Sequence, residues 1–354
     1  MKKHNFSAGP GILPQEVMEG AAKAVIELDN IGLSLIEISH RSTEFKAIME
    51  EACYLALQLL GLEGKGYKAM YLQGGASLQF LMAAYNMLES KGGYVNSGTW
   101  STKAIKEAKI LGEVVELASS KDKNFNYIPK GYDIPTDLDY LHITTNNTIF
   151  GTQFKDIPQT DVPLVADMSS DIFSRPFDYS KFDLFYAGAQ KNMGPAGVTL
   201  VVMKESAFNK VSRVVPSMMN YEAQANAGSM FNTPPVFAVY TVLLNLRWIA
   251  KNGGLAGVGT QNDKKAELIY NEIDRNPLFE GFANKEDRSN MNATFNLVDD
   301  AHSEIFDPLW NAANISGLKG HRSVGGYRAS IYNAMPLASI QSLVDCMQEF
   351  EKKA

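Results

Sequence analysis

The sequence predicts an α/β protein with a large domain built on a mostly parallel seven-stranded sheet and a smaller α+β domain at the C-terminal end. Three observations lead to this prediction. Short apolar runs recur between residues 68 and 203, helical patterns separate the first of them, and the pattern changes after the glycine-rich residues 253–259. Strands that alternate with helices are typical of a parallel sheet covered on both faces. The chain of 354 residues is also long enough for about two domains.

Seven apolar runs supply the predicted strands of the large sheet. They are residues 68–72, 94–97, 113–117, 139–145, 162–166, 182–187 and 197–203. The segment between the last two runs is too short for a parallel crossover, which usually needs a helix. We therefore expect one antiparallel strand in an otherwise parallel sheet.

Apolar residues at three- and four-residue spacing predict the helices. In the large domain they cover residues 43–60, 77–90, 101–111 and 234–250. In the C-terminal part, helices are predicted at 263–274, 303–313 and 337–352, and strands at 293–298 and 327–332. We place the large domain at residues 15–255 and the small domain at residues 256–354. The N-terminal segment 1–14 is expected to pack near the functional site.

Composition and charge exclude several classes of protein. The hydrophobic fraction of 45% and the charged fraction of 20% are those of a globular chain rather than a disordered one. A net charge of −6 provides no basic excess for binding nucleic acid or an anionic membrane. No apolar run is long enough for a transmembrane helix, and the N-terminus lacks the apolar core of a signal peptide.

Cysteine and histidine usage argues against disulfides and metals. Cys53 and Cys346 form neither a disulfide framework nor a CxxC pair. The five histidines lack the spacing of metal ligands, and no glycine-rich motif has the spacing of a nucleotide-binding loop. We therefore expect a cytoplasmic protein that uses no metal and binds neither nucleic acid nor membrane.

Five chemically different groups follow the carboxyl ends of predicted strands, where open α/β sheets bind their ligands. They are the glycine-rich turn at residues 74–77, Trp100, Thr148, Asp167 and Lys191. Taken alone, each has an ordinary explanation as a tight turn, a core aromatic, a helix cap or a solvated surface group. Together they provide an anion-binding helix N-terminus, an aromatic plate, a hydroxyl, a carboxylate and an amine. This inventory suits a planar, phosphorylated aldehyde cofactor with a ring nitrogen.

The residues around these groups resemble a known family. Matching motifs lie at residues 5–14, 39–42, 74–80, 96–101, 146–151, 165–175, 186–197, 231–235 and 320–336. The most specific are YAGAQKNMGPAG and GHRSVGGYRASIYNAMP. On these motifs the chain resembles, over essentially its whole length, the phosphoserine aminotransferases, which are class V aminotransferases among the fold-type I pyridoxal phosphate enzymes.

The resemblance implies pyridoxal 5'-phosphate as the cofactor and assigns residues to its ring. Lys191 would hold the cofactor covalently through an imine. Asp167 would pair with the pyridinium nitrogen, and Trp100 would stack on the ring. Thr148 would reach the phenolic oxygen.

The resemblance also assigns residues to the cofactor phosphate. Ala76, Ser77 and Gln190 would bind it, and Asn232 and Thr233 would reach it from a second subunit. A complete site would therefore require a homodimer. Many family members have an arginine where this chain has Ser77, so the strength of substrate-phosphate binding is a separate question here.

Further residues are implied to bind the substrates. Arg328 matches the arginine that binds the substrate α-carboxylate. Four residues match the family's groups that bind the substrate phosphate or the distal carboxylate of glutamate. They are His40, Arg41, His321 and Arg322.

The implied reaction is the reversible transfer of the amino group from L-glutamate to 3-phosphohydroxypyruvate, giving O-phospho-L-serine and 2-oxoglutarate in L-serine biosynthesis. Whether the chain also acts on 4-phosphohydroxy-L-threonine in pyridoxine biosynthesis stays open. One alternative is a class V cysteine desulfurase or another small-acid aminotransferase; a desulfurase needs a reactive cysteine, whereas both cysteines fall on apolar helix faces. Another alternative is a cofactor-binding regulator without turnover, against which Arg41, Arg322 and Arg328 argue.

Overall fold

The fold is described from a computed structural model, and the structure describes residues 3–354. The helices within this range are α1 (Gln15–Ile26), α2 (Thr43–Leu59), α3 (Gly75–Met87), α4 (Thr99–Ala108), α5 (Tyr221–Asn226), α6 (Val236–Lys251), α7 (Gly254–Arg275), α8 (Ser303–Ala312) and α9 (Leu337–Lys353). The strands are β1 (His4–Asn5), β2 (Tyr67–Leu72), β3 (Lys91–Asn96), β4 (Glu113–Ser119), β5 (Tyr140–Thr144), β6 (Leu164–Asp167), β7 (Leu184–Gly188), β8 (Thr199–Lys204), β9 (Phe279–Gly281), β10 (Asn292–Leu297), β11 (Ile315–Ser316) and β12 (Tyr327–Ser330).

The large sheet has seven strands in the order β2-β8-β7-β6-β5-β3-β4. Strand β8 runs antiparallel to both of its neighbours, β2 and β7, and the other neighbouring pairs are parallel. The prediction of a mostly parallel sheet with one antiparallel strand is confirmed. The short connection at residues 189–198 explains the exception, because it cannot carry the chain back across the sheet to start a parallel strand.

Helices cover both faces of this sheet. Helices α1, α2 and α6 pack on one face in a hydrophobic cluster that includes Phe45, Phe185 and Leu243. Helices α3 and α4 pack on the other face in a cluster that includes Phe80 and Ile105. The strands are buried on both sides, which is why they appear in the sequence as continuous apolar runs.

A separate hydrophobic cluster lies in the C-terminal part of the chain. Strands β9, β10 and β12 form an antiparallel sheet, and helices α7, α8 and α9 pack against it. The N-terminal Phe6 is fully buried in the same cluster, next to the parallel pairing of β1 with β11. The division of the chain at residue 255 stays a prediction, and the first two residues of the predicted segment 1–14 lie outside the described residues.

Two predicted boundaries are wrong because glycine obscured the pattern. Helix α7 begins at Gly254, about two turns before the predicted start at residue 263. Glycine lowers helix propensity, but Gly259 allows close packing here: a Cβ on it would lie 3.1 Å from Pro176. Strand β3 begins at Lys91 rather than at residue 94, and a Cβ on its Gly93 would lie 2.6 Å from the Leu138 side chain. In both places tertiary packing outweighs local propensity.

Helix α1, the short helix α5 and the short strands β1, β9 and β11 were absent from the sequence prediction. Within residues 3–354 no helix combines the length and hydropathy that crossing a membrane requires.

Candidate active site

A cavity of about 290 Å³ lies at the edge of the large sheet where β2, β3, β5, β6 and β7 end. All five strands run in the same direction, so their carboxyl ends meet at this edge. Seven residues predicted from the sequence line the cavity: Ala76, Ser77, Trp100, Thr148, Asp167, Gln190 and Lys191. The sheet therefore brings together groups that are far apart along the chain.

The turn between β2 and α3 builds one wall of the cavity. Gly74 and Gly75 have φ angles of +94° and +67°, a left-handed conformation that favours glycine. The turn leads directly into α3, whose first residues Ala76 and Ser77 line the cavity. The first N–H groups of a helix have no partner within it, and the helix dipole adds positive potential there. This wall therefore suits an anion such as a phosphate.

Asp167 is the last residue of β6 and is 4% exposed. Its Oδ1 accepts a hydrogen bond of 2.9 Å from the Ser169 N–H. Burial raises the pKa of Asp167 to about 6, although the bonds from Ser169 and the positive charge of Lys191 act in the opposite direction. Within residues 3–354 it forms no ion pair. A buried carboxylate without a cationic partner favours a ligand that brings a positive charge.

Lys191 follows β7, the strand next to β6, in the loop GAQK and lines the same cavity as Asp167. Burial lowers the pKa of its amine to about 8; the positive charge of Arg328 lowers it further, and Asp167 opposes the shift. A lysine with such a pKa is partly neutral near pH 8, and a neutral amine is a nucleophile. The position thus carries an amine that can attack an aldehyde.

The N-terminal segment packs against this lysine. The Gly11 N–H donates a 2.7 Å hydrogen bond to the Gln190 carbonyl. A Cβ on Gly9 would lie 3.2 Å from Lys191 Nζ, and one on Gly11 would lie 2.5 Å from the Lys191 carbonyl oxygen. The segment therefore approaches Lys191 so closely that a larger residue at position 11 would collide with its backbone.

Trp100 and Thr148 complete the walls, and their loops are held together by Asn147. Trp100 lies in the first turn of α4, and Thr148 lies in the turn after β5. The Asn147 side-chain amide donates a hydrogen bond of 2.7 Å to the Ser97 carbonyl. Its side-chain carbonyl oxygen accepts one of 3.1 Å from the Ile149 N–H. The bond to Ser97 ties the loop that carries Thr148 to the loop that leads to Trp100.

Arg328 reaches this site from β12, the middle of the C-terminal motif. Its Nη1 donates a hydrogen bond of 3.2 Å to the Thr148 carbonyl, and its buried Nε has no hydrogen-bond partner within the described residues. Burial lowers the pKa of this guanidinium. His321 lies in the loop before β12. Burial is the largest cause that lowers its pKa, and the positive charges of Arg328, Arg322 and Lys103 lower it further. These cations form an unneutralised positive region beside the cavity, which suits an anionic substrate.

Seven predicted site residues do not line this cavity: His321, Arg322 and Arg328, described above, and His40, Arg41, Asn232 and Thr233. His40 and Arg41 lie in the turn before α2. Asn232 lines a different cavity of about 270 Å³, on the far side of Gly74. The neighbouring Thr233 accepts a 2.8 Å hydrogen bond from Gln73 through its carbonyl oxygen. The predicted roles of Asn232 and Thr233 depend on a second subunit. The roles of all seven residues stay predictions.

Three further polar residues at the cavity were not singled out from the sequence. Asn146, Ser169 and Ser170 line it. The Ser169 hydroxyl accepts from the Gly188 N–H at 3.2 Å, and Ser170 is hydrogen-bonded to Asn146. They belong to the motifs NNTIFG and VADMSSDIFSR, but only the fold shows that they join β5, β6 and β7.

The chemistry of these walls fits pyridoxal phosphate. The Lys191 amine, with its lowered pKa, can react with the aldehyde, and the buried, unpaired carboxylate of Asp167 can pair with the protonated ring nitrogen. The N-terminus of α3 can bind the phosphate. An aromatic ring and a hydroxyl flank the space between them. The residues therefore supply a complementary group for each polar end of that cofactor.

The fold and this site are those of an aminotransferase. The chain belongs to the class V aminotransferase family, whose profile matches residues 3–343. It is 63% identical to the phosphoserine aminotransferase of Flavobacterium johnsoniae, with 100% of both chains aligned. It is 54% identical to the phosphoserine aminotransferase of Bacteroides fragilis, with 99% of both chains aligned.

Solved structures agree with these relatives. The phosphoserine aminotransferase of Bacillus circulans subsp. alkalophilus is 44% identical, with a TM-score of 0.96 over 99% of both chains. The PLP-bound phosphoserine aminotransferase of Trichomonas vaginalis is 34% identical, with a TM-score of 0.93 over 98% of this chain and 100% of the other. The predicted family and fold type are confirmed.

Proposed function

We propose that the protein is a pyridoxal phosphate-dependent phosphoserine aminotransferase of L-serine biosynthesis, which transfers the amino group of L-glutamate to 3-phosphohydroxypyruvate. One observation carries the proposal: the less basic amine of Lys191 and the buried carboxylate of Asp167 share one cavity with the N-terminus of α3. The relatives named phosphoserine aminotransferase, which match over the full length, support the choice of reaction.

Each wall then has a role in holding the cofactor. Lys191 Nζ binds the aldehyde covalently, Asp167 pairs with the ring nitrogen, and Trp100 stacks on the ring. Thr148 reaches the phenolic oxygen. The phosphate lies at the N-terminus of α3, held by Ala76, Ser77 and Gln190, with Asn232 and Thr233 of a second subunit completing its contacts.

The chain moves protons at one atom, Lys191 Nζ. Pyridoxal phosphate, when bound, supplies an aldehyde that condenses with amines and a ring that accepts the electron pair of a broken C–H bond. When its Nζ is free, Lys191 would take the proton from the substrate Cα. The pKa of about 8 suits this task, since a base works best when its pKa lies near the working pH. Asp167 keeps the ring nitrogen protonated throughout.

Arginine and histidine side chains select the substrates. Arg328 binds the α-carboxylate, which glutamate and both keto acids share. His40, Arg41, His321 and Arg322 receive the phosphate of one substrate and the distal carboxylate of the other. Arginine suits this double duty because its planar fork binds either anion in a bidentate manner.

The pH dependence of cofactor capture tests the lowered pKa of Lys191. The pKa of this amine is about 8 instead of the usual 10.5, so the protein stripped of cofactor should capture pyridoxal phosphate at a rate that rises with pH and levels off above pH 8. Stopped-flow absorption gives the apparent pKa. Arg328→Gln removes a charge that lowers this pKa, so its profile should shift to higher pH. A wild-type rate that keeps rising beyond about pH 10 would contradict the assignment.

We also propose a homodimer with shared sites, on the basis of Asn232 and Thr233. Hybrid dimers test it. Lys191→Ala subunits and Asn232→Ala/Thr233→Val subunits should each have little activity, whereas a mixture refolded together should regain about a quarter of wild-type activity. Half of the dimers formed at random are mixed, and each mixed dimer holds one intact site. A mixture no more active than its parents would show that both groups act within one subunit.

The arginines should separate recognition of the phosphate from recognition of the carboxylate. Arg41→Gln or Arg322→Gln should lower the preference for 3-phosphohydroxypyruvate over hydroxypyruvate by about ten- to a hundredfold, the range expected for one charge-assisted bond. Arg328→Gln should lower kcat/KM for both keto acids to a similar extent. The measurement is the ratio of kcat/KM values in each variant. An unchanged ratio in both Arg41→Gln and Arg322→Gln would mean that other groups bind the phosphate.

The reaction itself is tested by a coupled assay for 2-oxoglutarate with glutamate and either 3-phosphohydroxypyruvate or hydroxypyruvate. The proposal predicts a strong preference for the phosphorylated keto acid, and equal use of both would refute it. A cysteine desulfurase is disfavoured because burial raises the pKa of Cys53 to about 12 and that of Cys346 to about 11, and neither residue lines the cavity.

Two coarser features complete the proposal. The chain divides near residue 255, which is supported by the separate C-terminal hydrophobic cluster, and Arg328 bridges the two parts through Thr148. We place the protein in the cytoplasm, where its two free cysteines would remain reduced.

A further inference from the structure

Lys103 lies one helical turn after Trp100 on α4, on the exposed side of the helix. Residues three apart in a helix share a face, and here the ammonium lies over the indole ring, with Nζ 4.7 Å from the ring centroid. The ring itself lines the cavity. The lysine is therefore held at the rim of the cavity by a cation–π contact rather than extending freely into solvent.

Other cations face this rim from the C-terminal part of the chain. The charges of Arg328, Arg322 and Lys103 all act on His321, whose pKa they lower in addition to the effect of burial. Within residues 3–354, none of Lys103, Arg322 and Arg328 forms an ion pair with a carboxylate. The cluster is notable on a chain with a net charge of −6. Cations that repel one another without a carboxylate between them favour an anionic ligand.

We propose that Lys103 is a specificity-determining residue that contacts the distal anion of the substrate, together with His321 and Arg322. The inference rests on the proposed function. An ammonium is a point charge on a flexible stem. It can therefore contact either the phosphate of one substrate or the distal carboxylate of glutamate.

A solvated surface lysine would be the ordinary explanation, and the same helix offers one for comparison. Lys106, one further turn along α4, is also exposed. It has no aromatic partner among the described cation–π contacts and does not affect the pKa of His321. Lys106→Gln is therefore the matched control for Lys103→Gln.

The test compares Lys103→Gln, Lys103→Arg and Lys106→Gln by steady-state kinetics. Lys103→Gln should lower kcat/KM for 3-phosphohydroxypyruvate by about tenfold, mainly through KM, because one charge-assisted contact is lost. Its kcat/KM for hydroxypyruvate should change by less than about twofold. Lys103→Arg should restore most of the loss, and Lys106→Gln should behave as wild type.

A second readout reports the charge independently of turnover. In an NMR titration, Lys103→Gln should raise the pKa of His321, because a positive charge that lowers it has been removed, while Lys103→Arg should leave it unchanged.

Three results would overturn the inference. One is a kcat/KM ratio for the two keto acids in Lys103→Gln within about twofold of wild type; another is an unchanged pKa of His321. The third is an equal loss for both keto acids, which would mean that Lys103 only positions Trp100. All three leave the proposed function intact, since that fails separately if the wild-type enzyme does not prefer the phosphorylated substrate.

Discussion

Lys191→Ala is expected to abolish the visible absorption band of the purified holoenzyme and to reduce multiple turnover by at least about a thousandfold. In the proposed mechanism, the variant loses both the amine that binds the aldehyde and the base that moves the Cα proton. Among residues 3–354, Lys191 is the only lysine that lines this cavity, so no other described amine is placed to substitute for it. Absorption spectroscopy and the coupled 2-oxoglutarate assay measure the two effects.

Lys155→Ala is the matched control for this variant. Burial also lowers the pKa of Lys155 to about 8, but its Nζ donates to Gln153 and Asn290 outside the cavity. It should therefore keep both the absorption band and the turnover. Retention of band and turnover in Lys191→Ala would show that the covalent link lies elsewhere.

Asp167→Asn should leave the cofactor bound but slow transamination by several powers of ten. The amide has the same shape and can still accept the bond from the Ser169 N–H. It is neutral, however, and cannot keep the ring nitrogen protonated, so the electron pair released at the substrate Cα is no longer stabilised. Single-turnover kinetics with glutamate measure the step directly. A change of less than about tenfold, roughly 1.4 kcal/mol, would contradict this role.

Asp171→Asn separates this effect from a general loss of a buried carboxylate. Asp171 is also buried, and burial raises its pKa. It accepts hydrogen bonds from Thr145 and Gln153 and does not line the cavity. Its substitution should lower the thermal midpoint while changing the single-turnover rate by less than about tenfold.

The large sheet could be predicted from sequence because its strands are buried on both faces. Residues 164–167 and 184–188, for example, are buried throughout, and such strands read as unbroken apolar runs. The antiparallel direction of β8 could be predicted because the connection at residues 189–198 is too short for a parallel crossover. The beginnings of β3 and α7 could not be predicted, since glycines there serve close packing with residues distant in sequence.

The cavity residues could be predicted from position, because polar groups at the carboxyl ends of parallel strands converge. The approach of Gly9 and Gly11 to Lys191 could not, since it depends on how the N-terminal segment crosses the finished fold. Lys103 carries no signal in the sequence beyond its spacing from Trp100. The proposed roles of Asn232 and Thr233 rest on the family resemblance alone, because a contact between two subunits leaves no pattern within one chain.

Borohydride reduction followed by peptide mass analysis tests most directly whether Lys191 carries the cofactor that exchanges amino groups. The reagent adds hydride to the imine and makes the link permanent. The resting enzyme should be labelled on the peptide containing Lys191, and not on Lys155 or Lys265, the other two lysines whose pKa burial lowers, to about 8 and about 7.

Adding glutamate before the reduction should remove the label, because the amino group then occupies the cofactor and Lys191 is free. Adding 3-phosphohydroxypyruvate afterwards should restore it, whereas hydroxypyruvate at the same concentration should restore it far less. A label on Lys155 or Lys265, or a label on Lys191 that does not respond to glutamate, would contradict the assignment of Lys191 as the residue at which this aminotransferase works.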